Sequence, residues 1–92
     1  MTHDEDVIRV MRAQVDAARR GALGMWTIYD KPTDYPDGYI ARMHESGAGR
    51  CEPTENVVTG KLDAIRDVFV MAGLTPIGRD RNDQPHIVES WL

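Results

Sequence analysis

Met25-Trp26-Thr27-Ile28-Tyr29-Asp30 and, further along, Tyr39-Ile40-Ala41-Arg42-Met43-His44 decide the fold. The first run is rich in aromatic and β-branched residues and reads as a strand. Between the two lies Lys31-Pro32-Thr33-Asp34-Tyr35-Pro36-Asp37-Gly38, whose two prolines and closing Asp-Gly cannot continue a strand. The second run reads as a partner strand, so the pair forms an antiparallel hairpin with a long, ordered connection.

After the hairpin, residues 45–53 read as a polar loop holding Gly47, Gly49 and Pro53, the segment expected to move most. Asn56-Val57-Val58 is an optional short strand. Thr59 is placed as the cap of a helix over about Lys61 to Ala72, ended by Gly73. Leu62, Ile65, Phe69 and Ala72 share one face of that helix with Val68 beside them, the spacing of a buried side. A strand over Leu74 to Gly78, a polar turn over Arg79 to Pro85 and a last strand over His86 to Trp91 complete the pattern. The fold class is therefore α+β: a small antiparallel sheet in the order ββ-α-ββ with one helix packed on a face.

Upstream of the hairpin, roughly residues 3 to 20 predict an amphipathic helix. Thr2 and Glu5 form a capping box, and Asp4 and Asp6 suit the positive end of the helix dipole. Arg19 and Arg20 suit the negative end, and Gly21 terminates it. Val7, Ile8, Met11, Val15 and Ala18 recur at spacings of three and four and make an apolar stripe. Residues 21–24 (Gly21-Ala22-Leu23-Gly24) read as a short flexible joint. The whole, residues 1–92, is one domain: helix 1–20, joint 21–24, core 25–92.

Composition bounds function. Asp and Glu number 15 against 11 Lys and Arg, a formal charge of −4. Phosphate neutralisation dominates nucleic-acid affinity, so the absence of a basic excess argues against a nucleic-acid partner. The single cysteine, Cys51, allows no intramolecular disulfide and fits a reducing cytoplasm. No apolar run approaches the ~20 residues of a membrane helix, and the acidic N-terminus is unlike a signal peptide. A soluble, cytoplasmic protein is expected.

The chemistry-bearing residues do not assemble into a site. His3, His44, His86 and Cys51 lack any short ligand spacing, so no metal is expected. Asp30, Asp34 and Asp37 lack the alternating positions and distal Glu of a calcium loop, and read as turn formers. Cys51 lies between Arg50, which favours its thiolate, and Glu52, which opposes it, with no histidine placed against it. Gly47-Ala48-Gly49-Arg50 is too short to cradle a phosphate. Neither enzyme activity nor an organic cofactor is expected.

The aromatic residues carry more information. In the first strand Met25, Thr27 and Tyr29 alternate with Trp26 and Ile28; in the last, Ile87 and Trp91 oppose Val88 and Leu92. Both strands are thus apolar on both faces, and one helix covers only one. The first helix or a second copy of the chain is expected on the other, and the helix stripe itself is expected to be buried in one of these two ways. Trp26, Tyr29, Tyr35, Tyr39 and Trp91, together with Val7, Ile8, Met11 and Val15, are the candidate interaction residues, since aromatic anchors dominate binding surfaces.

Met25 to Asp30, Pro32, Asp34-Tyr35-Pro36-Asp37, Ala41-Arg42 and the ending Ile87-Val88-Glu89-Ser90-Trp91-Leu92 resemble a family of short, uncharacterised bacterial proteins that begin at the equivalent of Met25. The resemblance spans about residues 25 to 92 and implies no activity; residues 1 to 24 are additional to it. The functional expectation is a non-catalytic protein-interaction module that self-associates as a homodimer. The alternatives are a phage-type inhibitor that binds a bacterial defence complex, and a small-molecule-binding domain or minor enzyme using the polar loop and His44.

Overall fold

The computed structural model describes residues 4–30, 38–47, 49–78 and 87–92. Their order is α1 (Asp4–Arg19), β1 (Leu23–Asp30), β2 (Tyr39–Gly47), β3 (Arg50–Gly60), α2 (Leu62–Met71), β4 (Pro76–Gly78) and β5 (Ile87–Trp91). The α+β class read from the sequence is the observed one. The strands form a single antiparallel sheet in the order β3-β2-β1-β5-β4, so the aromatic strand β1 lies at its centre.

The β1–β2 hairpin forms antiparallel as expected, in the register that sets Trp26 opposite Met43 and Ile28 opposite Ala41. On its other side β1 pairs with β5, placing Trp26 opposite Trp91. A bulge at this pairing breaks the strict alternation expected for β5. Ile87 sits opposite Tyr29, and Val88 is the residue that packs against the core.

Residues 45–47 and 50–53 are strand, not loop. β2 runs on to Gly47, and β3 starts at Arg50 and pairs back through Glu45 with Glu52 and Ser46 with Cys51. The polar side chains there fit a strand, because a ladder on an exposed edge is held by backbone hydrogen bonds and tolerates polar residues. The short strand expected at 56–58 is the far half of this longer one. Between the halves the register shifts: Arg42 faces Val57 but His44 faces Pro53. The intervening residues are tied down locally, Thr54 Oγ1 donating to the Met43 carbonyl at 2.9 Å and Arg42 Nη1 to the Thr54 carbonyl at 2.7 Å. The bulge and Pro53 also blunt this edge strand against pairing with another chain.

Both helices pack on the same face of the sheet, and Trp26 proves it. Gln14 of α1 bonds its indole nitrogen, while Phe69 of α2 packs against its ring with centroids 5.5 Å apart and planes tilted by 51°. Phe69 meets Trp91 at the same 5.5 Å, so the core is built around one phenyl ring held between two indoles. Ile28, Ala41, Met43 and Val58 from the sheet, Ile65 and Val68 from α2, and Val10, Ala13 and Ala17 from α1 close it. Of the two covers expected for the second sheet face, the first helix or a second copy of the chain, α1 is therefore not the one. Among the described residues no helix covers that face, where Thr27 lies between Arg42 and Ser90 with Met25, Tyr29 and His44 on the neighbouring positions.

The helix ends explain the chain path. At Gly21 (φ 71°) Ala22 N–H bonds back to the Ala17 carbonyl and Gly21 N–H to that of Ala18, a Schellman stop. The same pair of bonds recurs after α2 at Gly73 (φ 86°). The joint expected at 21–24 is consequently shorter than read, since Leu23 and Gly24 already belong to β1. Thr59 is exposed in β3 and does not cap α2, whose N-cap is Lys61 with no side-chain bond.

Candidate interaction surface

The flank of α1 that meets the sheet is defined by small residues. Ala13 and Ala17 allow close approach, and Val10 fills the space beside them. The approach is so close that a Cβ on Gly24 would collide with Gln14 Oε1 and Met43 Cε. Two polar contacts fix the helix on this bed. Gln14 Nε2 donates to the Gly24 carbonyl at 3.1 Å, and Arg20 grips both oxygens of Glu45 at 3.0 and 2.6 Å. A third, from Arg9 Nη1 to the Val57 carbonyl at 3.3 Å, ties α1 to β3.

With that flank committed, the stripe read from the sequence lies elsewhere. Ile8, Met11 and Val15 are 54%, 49% and 50% exposed, and Ala18 is exposed as well. Only Val7, at the margin between the two faces, is partly buried against the core. The expected burial of the stripe within the chain is thus corrected. Val10, Ala13 and Ala17 repeat at spacings of three and four just as Ile8, Met11 and Val15 do, and the two sets, offset by two residues, sit roughly 160° apart at 100° per residue. Periodicity cannot choose between them. Packing chose the alanine side because a helix must come close to a sheet that presents Trp26 and Met43.

Ile8, Met11 and Val15 line a shallow apolar depression bordered on one side by Arg12, Asp16 and Arg19. Around the helix from there, Glu5, Arg9, Arg12, Asp16 and Arg20 meet Asn56 in a polar groove against β3. The charges are segregated along the axis: Asp4, Glu5 and Asp6 in the first turn, Arg19 in the last.

The other candidates separate cleanly. Trp26 (0% exposed) and Trp91 (4%) belong to the core and offer no surface, the indoles being the largest apolar groups available to fill it. Tyr39 is partly buried against the same core. Tyr29 lies on the sheet face away from the helices, and Tyr35 lies outside the described residues. Among the described residues the aromatic candidates therefore do not form one exposed patch.

Catalytic geometry is not assembled among the described residues. No group of three or more His, Cys, Asp or Glu converges there. Cys51 is a free, exposed thiol on β3, and His44, opposite Pro53, lies on the neighbouring strand. The shallow depressions around α1 and the β2–β3 turn are lined by neither of them. Burial, reinforced by the Arg42 charge, holds the His44 imidazole below its usual pKa against the opposing effect of a backbone hydrogen bond to Arg42. No described helix is long and apolar enough to cross a membrane. Compared with family models, curated proteins and solved structures, the chain gives no match.

Proposed function

We propose that this chain is a non-catalytic protein-interaction module that works by self-association in the cytoplasm. The observation that carries this reading is the exposed stripe of Ile8, Met11 and Val15 on a helix whose opposite flank already completes the core. Fold stability does not require large apolar side chains there. Their exposure opposes solubility, and contiguous apolar surface of this kind marks a contact with another protein. The Gln14 and Arg20 contacts tie α1 to β1 and β2, so the stripe lies on a helix already docked in the fold.

The test is the mass of the full chain in solution. Sedimentation velocity over a wide concentration range is expected to show a concentration-dependent shift from monomer to dimer. A single species of monomer mass at every concentration overturns self-association.

A further inference from the structure

We infer that the Ile8-Met11-Val15 stripe docks against the same stripe of a second copy with the two α1 helices antiparallel. This rests on the self-association reading above and adds the surface and its direction. Ile8, Met11 and Val15 follow the three-then-four spacing of a coiled-coil seam, the pattern by which one helix seats on another. Glu5, Arg12 and Arg19 follow one another at seven-residue intervals along one side of that seam.

Charge settles the direction. A two-fold axis midway between Met11 and Arg12 puts Ile8 level with Val15 of the second copy and Met11 within one residue's rise of its counterpart. The same axis puts Asp4 and Glu5 level with Arg19 of the second copy, twice over. The dipole ends oppose in the same sense, positive against negative. Arg12 lies beside the axis with Asp16 one turn along, so its charge has a carboxylate close by. A parallel pairing instead sets the first-turn carboxylates of both copies side by side and both Arg19 residues together, which repels at each end. The other flank of the seam is Val7 and Gln14, which offer no charge to compensate.

Three variants of the full chain test this, each checked for native helix content. Met11→Glu, at an exposed position, is expected to abolish the dimer. Asp4→Lys with Glu5→Lys, and separately Arg19→Glu, are each expected to weaken it about tenfold at low ionic strength, since both end contacts turn from attraction to repulsion. Mixing these two variants is expected to restore association to near the parent's strength. Restored helix stability cannot explain that rescue, because each chain keeps its own defect. In a Cys51→Ser background, Ile8→Cys mixed with Val15→Cys is expected to crosslink under mild oxidation, and Ile8→Cys alone is not. A dimer that survives Met11→Glu overturns the α1 pairing and leaves self-association standing. Loss with Met11→Glu but no weakening by the charge variants, or a crosslink by Ile8→Cys alone, overturns the antiparallel direction. A parent chain that is always monomeric overturns both readings together.

Discussion

Gln14 of α1 accepts a hydrogen bond from the indole nitrogen of Trp26 in β1 at 3.2 Å, and through its own amide nitrogen donates to the Gly24 carbonyl on the same strand. One polar side chain thus satisfies two groups of the central strand and sets how α1 lies on the sheet. Gln14→Ala leaves a donor on a fully buried Trp26 without its acceptor. A loss of about 1–3 kcal/mol is expected, read from urea unfolding, with a change in tryptophan fluorescence in the folded baseline. An unchanged midpoint would show that water replaces the amide at no cost.

Phe69 sits between Trp26 and Trp91 and is fully buried. Phe69→Ala is expected to cost about 3–5 kcal/mol, a large share of what holds a domain of this size. Thermal unfolding of the two proteins side by side measures it, and a shift of only a degree or two would remove Phe69 from the centre of the core.

Arg66 on α2 bonds both oxygens of Glu89 on β5 at 2.8 and 3.1 Å, and Trp91 Nε1 adds a third bond at 3.0 Å. The Arg66 hydrogen bond, ahead of the Trp91 bond and the charge attraction, holds the Glu89 carboxyl below its ordinary range against the opposing effect of burial. The folded pKa being the lower one, this contribution is fully present above the unfolded value of about 4.3 and is lost as pH falls through the folded value. Arg66 is partly exposed, so solvent screening keeps the effect modest. Urea midpoints measured from pH 6 down to about pH 3 are expected to fall more steeply for the parent than for Glu89→Gln. Parallel curves would assign the acid sensitivity to other carboxylates.

His44 titrates in a separate window. Burial depresses its folded pKa below the unfolded value of about 6.5. The unfolded chain therefore takes up the proton first, so the neutral ring's contribution is complete above that value and declines as pH falls toward the folded pKa. The imidazole resonance followed by NMR is expected to have its midpoint below 6.5. A midpoint at or above it would show that the backbone hydrogen bond to Arg42 outweighs burial.

The hairpin, the class of fold and the buried face of α2 were legible in the sequence because each rests on local chemistry. β-branched and aromatic residues beside a Pro/Gly-rich turn specify Met25 to Asp30 as a strand. Leu62, Ile65 and Phe69 can share only one helical face. The span of β3 was not legible, since Glu45, Ser46, Cys51 and Glu52 carry no strand signal of their own and pair only because β2 continues past His44.

The orientation of α1 separates the two kinds of information most clearly. Residues 4 to 21 by themselves determine that a helix forms, that it stops at Gly21, and that it carries two apolar flanks. Only the tertiary structure decided which flank is core. That choice depends on distance: on the sheet-facing flank Ala13 and Ala17 let the helix come close, and Gln14 Oε1 and Met43 Cε rest where a Cβ on Gly24 would stand. It depends also on Trp26, whose buried nitrogen requires a partner that Gln14 alone is placed to supply on α1. Both conditions arise from residues far along the chain from the helix they orient, so no pattern within the helix could express them. The same choice leaves Ile8, Met11 and Val15 facing outward.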